Sequence, residues 1–541
     1  MKKVIAFLLA VMLIMLCGCG EDTPAVTESE SRPQQNTKVE YKNSITLLYS
    51  AADTFNPYDA KTEVNRQLCR LLYEPLVKTD DNFKAHYSIA KAVKTVKKEC
   101  TVTLKDVTFS DGTRLTATDV VYSYKLAKKS KTAYKTKLYM VKSAEVVDNN
   151  TVVFTLTQND PYFINVLDFP IIKAKSEKRS DSDSVKYPPI GAGRYKLNKD
   201  NTALVINENY HGKNGSIKTV KLINAPDNES ITHYVEIGAT DIYYSDISDG
   251  NILRMSGTKT NINLNNLVYI GINHNNKKLA LEKLRQALSS GIDRQKICKN
   301  AFYNNAMAAT GFFNPLWEPT KSLQNIQITA NSQITVENLK EIGYNELDKD
   351  KVLRNKTGAL SFSLLVNKEN TARVTAAKLI ASQLKEYGIK ITVERVSFKE
   401  YKKRLKKGNF DLYLGEVKIT ENMDFSELVL PDGSAAWGIS TTAEKEAKDK
   451  DKADLQKENE KEESEEKQDE KLLSCAKVIN GFYKGKNSIN DVAVTLQNDM
   501  PIIPLCYRTG VLFCNENIEN MNMASLSDIY FSIVSYKFKK N

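Results

Sequence analysis

Residues Val107–Tyr124 read VTFSDGTRLTATDVVYSY, and the two halves of this stretch follow different periods. Up to Leu115 apolar and polar residues alternate around Asp111-Gly112, where glycine accepts the positive backbone angle of a tight hairpin turn. From Thr116 onward Val120, Val121, Tyr124 and Ala127 fall on one helical face. Thr116 is placed to cap that helix, and Asp119 lies in its first turn, where a negative charge opposes the helix dipole. A hairpin feeding a capped helix is therefore expected, with CTVTL (Cys100–Leu104) leading in. A second hairpin is expected over Ala144–Thr157, turning at Asp148-Asn149-Asn150. Together they make a small α+β unit.

On either side of this unit the pattern changes. Upstream, SITLLYS (Ser44–Ser50) reads as a strand, and TFNPY (Thr54–Tyr58) as a proline turn leading to an amphipathic helix near Val64–Leu72. Downstream, strands are expected near Ala203–Asn207 and Thr219–Ile223, and VYIGIN (Val268–Asn273) opens another region. There helices (Ala280–Ser289, Asp293–Ala301, Thr371–Tyr387) alternate with strands (Leu360–Asn367, Ile389–Val396, Phe410–Glu416). Gly388 ends one helix, Ser397 caps the next, and Gly408 ends that one at Lys407. The resulting βαβαβ order calls for a largely parallel sheet. Ala443–Lys471 carries 13 acidic and 8 basic residues and a single leucine. It has no apolar face to bury and reads as a solvated, disordered charged insertion.

The chain of 541 residues exceeds what one core usually organises, and two or three lobes follow from its length. At the N-terminus Lys2 and Lys3 precede an apolar run from Val4 to Leu16, the pattern of an export signal. LCGC (Leu16–Cys19) resembles a bacterial lipobox, which makes Cys19 the expected lipidation site after removal of residues 1–18. Each buried acyl methylene contributes about 0.8 kcal/mol, so two or three chains hold a protein at a membrane nearly permanently. Residues 19–42 have almost no large apolar side chains and are expected to form a flexible tether. The formal charge of +11 is modest for this length and its lysines are scattered, which argues against a nucleic-acid partner. Cys69, Cys100, Cys298, Cys475, Cys506 and Cys514 show no CxxC spacing. Cys506 and Cys514 flank YRTG, where a hairpin would bring them together; unpaired core thiols are the alternative.

Several segments taken in order resemble the family 5 extracellular solute-binding proteins, the peptide receptors of ABC importers. They are FNP (Phe55–Pro57), LYEPLV (Leu72–Val77), VTFSDGTRLTATDVVYSY, GAGRY (Gly191–Tyr195), LRQALSSGIDRQKI (Leu284–Ile297), QLKEYGIKITVE (Gln383–Glu394), GNFDLYL (Gly408–Leu414) and PIIPL (Pro501–Leu505). The resemblance implies an α/β fold, a periplasmic-binding-protein-like two-lobed clamshell (type II, cluster C) with an additional small α+β domain. It implies a discontinuous domain I (43–76, 188–267 and 500–541), an inserted domain II (77–187) and a domain III (268–499) interrupted by 443–471. It further implies a monomeric, lipid-anchored receptor on the extracellular face of a bacterial cell membrane. Such a receptor traps peptides by hinge closure and delivers them to permease subunits, with no cofactor and no metal. Main-chain pairing would give affinity there, and roomy wet pockets would tolerate varied side chains.

The family's usual Gly-Trp and aspartate after FDL are replaced here by FDLYLGEVKITENMDFSELV (Phe410–Val429). Glu416 and Asp424 are left as alternative anions for a ligand amine. Trp437, in the small-residue loop GSAAWG, is a candidate ligand-facing ring. Tyr244 and Asn273 end strands near the expected lobe junction and complete the candidate ligand-binding set. GAGRY also departs from the family's usual GTGPY. No GxSxG, HExxH or P-loop occurs, and His86, His211, His233 and His274 show no metal-pair spacing, so catalysis is not expected. The alternatives within the same fold are a nickel-type metal-chelate receptor and a signalling-peptide receptor.

Overall fold

At Asp111-Gly112 the backbone reverses with Gly112 at φ +86°, and Phe109 N–H donates to Thr113 O at 2.8 Å. The helix that follows spans Ala117–Lys129. Thr116 donates to one Asp119 carboxylate oxygen from its N–H (2.9 Å) and from Oγ1 (3.0 Å). The other oxygen accepts from Ala174 N–H at 2.9 Å. Asp119 thus ties the helix start to a distant loop besides opposing the dipole. The helix packs on a four-stranded antiparallel sheet ordered Ala90–Val96, Glu99–Leu104, Thr151–Leu156, Val141–Asp148. Val120 and Phe154 are fully buried there.

The computed structural model describes residues 39–178, 187–247, 256–439, 474–521 and 524–540. The export signal, Cys19, nearly all of the tether and the charged insertion lie outside the described residues.

Beside the α+β unit, Ser44–Tyr49 pairs in parallel with Thr219–Asn224, which continues antiparallel through Ala203–Ile206 to Tyr195–Leu197. GAGRY holds this sheet against the helix Glu63–Leu72. Gly193 N–H donates to Leu72 O at 3.0 Å, and a Cβ on Gly191 or Gly193 would run into the Leu72 backbone. The two glycines are fixed by close approach, and Ala192 between them is buried in the core.

The βαβαβ pattern forms as the sequence predicts. Ser361–Asn367 pairs in parallel with Lys390–Val396 and with Leu412–Lys418. Asn370 and Ser397 accept the capping hydrogen bonds of the helices Thr371–Lys385 and Phe398–Lys407. Gly388 (φ +72°) and Gly408 (φ +65°) release the chain after them. Leu412–Lys418 then pairs antiparallel with Thr258–Ile272, and that strand with Ile502–Cys514.

These last two strands decide the architecture, which is two-lobed. The chain has two large apolar cores. Ile262 and Leu264 lie in one and Leu267–Ile270 in the other; Leu512 and Cys514 lie in the first and Ile502–Tyr507 in the second. Each strand therefore crosses from core to core. Their register slips between Asn263 and Asn266, where Asn265 adopts φ +55°. The expected domain boundaries, before Val268 and before Met500, fall within or just ahead of these crossing strands. The strand expected from Val268 begins ten residues earlier, because Thr258–Asn266 (TKTNINLNN) is polar on every position except Ile262 and Leu264.

One expectation is corrected. YRTG forms no hairpin: Ile502–Cys514 is one continuous strand, and at about 3.4 Å per residue Cys506 and Cys514 stand far beyond disulfide reach. All six described cysteines are free and buried.

The glycine contact gives the first testable outcome. Gly193→Ala, with no room for a methyl beside Leu72, is expected to destabilise the protein by about 1–3 kcal/mol, read as a lower urea midpoint. An unchanged midpoint would contradict the close approach.

Candidate functional site: a cavity between the two cores

The helix Glu63–Leu72 buries Leu68, Cys69, Leu71 and Leu72 in the first core and turns Glu63, Arg66, Gln67 and Arg70 toward a cavity of about 380 Å³. Lys131–Tyr134 and Lys137 form a second wall, Tyr244 and Asp246 a third. Leu264 and Asn266, from the crossing strand, form its back. Lys418 and Glu421 close it from the side of the second core. The cavity is thus bounded by both lobes and by a strand that joins them. Clefts at such junctions are where ligands of α/β proteins usually bind.

Beside the cavity the segment Glu421–Asp424 docks against residues attached to the first core. Lys137 Nζ lies 2.7 Å from Asp168 and 2.9 Å from Glu421. Burial alone would lower the Lys137 ammonium, but Asp168 and Glu421 outweigh it and hold the group well above its ordinary value. Asn165 Nδ2 donates to Glu421 O at 3.2 Å, and Asn422 Nδ2 to Asp160 at 2.8 Å. The Asp424 carboxylate accepts from the Tyr139 hydroxyl on the first-lobe side and from the Tyr483 hydroxyl at 2.5 Å. These are charge-assisted bonds in a water-poor setting, where a polar group left unpaired is costly.

Of the residues predicted from sequence, Tyr244 lines the cavity; its hydroxyl is buried and has no hydrogen-bond partner among the described residues. Gly510, the glycine of YRTG, leaves room for that ring, since a Cβ there would lie 2.8 Å from it. Glu416 accepts from Asn266 Nδ2 at 3.1 Å and so fixes a lining residue from behind. Burial raises its carboxyl, opposed by Arg373 and Arg508. Asp424 lies in the interlobe contact just described. Asn273 Nδ2 donates to Phe410 O at 2.8 Å and Gly408 O at 3.2 Å, stitching the strand end to a loop. Trp437 is half-buried at the edge of the second core. None of the last three is among the residues lining the cavity.

Sequence reasoning did not single out Arg70, Lys137, Lys418 or Glu421. One signal for Arg70 was available. The helix Glu63–Leu72 places Asn65, Gln67 and Arg70 among leucines, and polar residues on the inward side of a helix need either partners or a cavity.

The sequence model for bacterial extracellular solute-binding proteins, family 5, matches residues 84–431. The oligopeptide-binding protein AppA of Bacillus subtilis (strain 168) is 24% identical, the match covering 97% of this chain and 96% of AppA. AppA has been solved in complex with a nonapeptide; that structure superposes with a TM-score of 0.55 at 20% identity, covering 93% of this chain and 100% of AppA. The murein tripeptide binding protein MppA, in its unliganded open form, gives a TM-score of 0.70 at 18% identity over 93% of this chain and 98% of MppA. NikZ of Campylobacter jejuni, in complex with Ni(L-His), gives 0.58 at 17% identity over 91% of this chain and 99% of NikZ.

The interlobe contact carries a pH dependence. Burial pushes the Asp160 carboxyl up to about 6, against the hydrogen bonds from Asn422 and Tyr162. An unfolded chain releases that proton near 3.8, so the folded state holds more protons between the two values. This group's contribution to stability is accordingly greatest at low pH and falls as pH rises from about 4 to about 6. Asp160→Asn removes it. The variant's urea midpoint is expected to gain on that of the wild type as pH rises through this window, by up to roughly 3 kcal/mol in stability. Parallel pH curves for the two proteins would refute the assignment.

Proposed function

Because this chain belongs to the bacterial extracellular solute-binding proteins of family 5, we propose that it captures peptides outside the cell between its two lobes and delivers them to the permease subunits of an ABC importer, making and breaking no bond. The observation that carries this reading is the cavity bounded by both cores and backed by a strand common to both. A ligand seated there touches both lobes, and only contacts that differ between open and closed states shift their balance. The register slip around Asn265 is the natural place for the bend. Peptide as ligand class is supported by the full-length similarity to AppA. Tyr244 belongs to the ligand-facing wall, and Glu416 acts through Asn266. Asp424 and Asn273 serve the frame around the site, and Trp437 borders the second core.

In this reading the mature chain is a monomer held at the outer face of the cell membrane through lipidated Cys19, with residues 19–42 as the tether.

Two experiments test the reading. The mature chain, presented with peptide pools, is expected to melt higher; a ligand at 100 times its dissociation constant adds about 2.7 kcal/mol. A rise with Ni(L-His) and none with any peptide pool would replace peptide by metal chelate. Separately, Cys19→Ala is expected to move the protein from the membrane fraction to the soluble fraction, and retention on membranes would refute the anchor.

A further inference from the structure

Of the five cations lining the cavity, Arg70, Lys131 and Lys418 make no side-chain ion pair among the described residues, and Arg70 and Lys418 stand on different lobes. Arg66 bonds Glu63, and Lys137 bonds Asp168 and Glu421. Arg70, from the first-lobe helix, and Lys418, the last residue of a second-lobe strand, have no hydrogen bond and no ion pair among the described residues. The Arg70 guanidinium lies 5.9 Å from the centre of the Tyr134 ring. Both cations feel the field of Asp168, which places them in one electrostatic neighbourhood although they belong to different lobes. Asp168 and Glu421 already share Lys137; Asp528 also acts on Arg70 and Asp246 on Lys418. The second oxygens of Asp168 and Glu421 are buried without partners and temper the field without forming a bond to either cation. The surrounding protein and Lys137 lower the Lys418 ammonium from its ordinary value, against Glu421.

We propose that Arg70 and Lys418 form a two-sided clamp for a carboxylate of the bound ligand, one cation from each lobe, and that the receptor selects peptides presenting an acid group at this point. The proposal rests on the peptide-capture reading and goes beyond it by naming the ligand's charge and the side chains that read it. Arginine offers a planar fork of donors matched to a carboxylate, and lysine a compact point charge. A carboxylate touching both is satisfied only when the lobes are together, which makes it a closing contact as well as a selective one. The same chemistry comes from a C-terminal carboxylate or from an Asp or Glu side chain.

The test uses the mature chain and peptide pools spanning dipeptides to decapeptides in four versions: with or without acidic residues, and with a free or amidated C-terminus. Affinity is read by calorimetry and melting temperature. Wild type is expected to bind the fully neutral pool about tenfold or more weakly than the acidic free-acid pool. The singly acidic pools show which source supplies the carboxylate. Arg70→Gln and Lys418→Gln are expected to weaken binding of the acidic free-acid pool about tenfold or more and that of the neutral pool far less, so that the preference is lost; Arg70→Lys and Lys418→Arg, which keep the charge, are expected to retain most of it. Equal binding of all four pools by wild type overturns the clamp and leaves peptide capture standing, as does an equal loss across the pools in the glutamine variants. If no pool binds, glutarate decides. Stabilisation of wild type but not of Arg70→Gln keeps the clamp and removes the peptide, whereas no effect of glutarate removes both.

Discussion

The antiparallel pairing of Thr258–Ile272 with Ile502–Cys514 is the constraint on which the rest of the molecule depends. Each strand places one end in each core, so the lobes share one ladder of backbone hydrogen bonds. A one-residue slip would turn every inward side chain outward in both cores at once. Two register shifts do occur, between Asn263 and Asn266 and between Val268 and Tyr269, and the first is pinned by side-chain bonds. Asn265 Nδ2 donates to Ile419 O at 3.0 Å and Thr420 O at 3.2 Å, and Oδ1 accepts from Asn314 Nδ2 at 3.1 Å. Asparagine tolerates the left-handed backbone this position needs better than most side chains. Bend and anchor are thus supplied by one residue.

The junction is polar where the cores are apolar. Arg508 Nη2 donates to Ile247 O at 3.0 Å, and its guanidinium lies 4.5 Å from the Phe302 ring centre. Asn263 Nδ2 donates to Asp81 at 2.8 Å. Burial raises the Asp81 carboxyl to about 6 against that hydrogen bonding. Directional bonds can be exchanged for water when two bodies part, whereas an apolar core resists opening in proportion to the area exposed. A hydrogen-bonded seam between two dry cores is therefore the arrangement in which relative motion costs least.

Local chemistry made much of the fold legible. Asp111-Gly112, Thr116 with Asp119, Ser397, Gly388 and Gly408 each announce a turn or a helix end through a steric or capping requirement, and each meets that requirement in the structure. What stayed hidden depends on distant partners. Thr258–Asn266, polar except for Ile262 and Leu264, is made a strand by its partner strand and not by its own composition. Cys506 and Cys514 invite a hairpin only while the strand that separates them is unseen. Lys137, Lys418 and Glu421 look like ordinary solvated charges along the chain, because nothing local distinguishes a charge facing water from one facing a cavity between lobes; only Arg70, set among leucines on its helix, carries a local hint.

This distinction also separates two kinds of polar group at the lobe boundary. Asp424 is engaged by Tyr139 and Tyr483 and is nearly inaccessible, so for it a ligand would have to displace bonds already made, gaining only the difference. Arg70 and Lys418 make no such bonds, and a ligand that meets them gains the whole interaction less the removal of water. Groups whose bonds are complete fix where the lobes meet; groups whose bonds are incomplete determine what meets them there. The free energy of recognition therefore concentrates on the second kind, even though the first contributes more hydrogen bonds to the boundary.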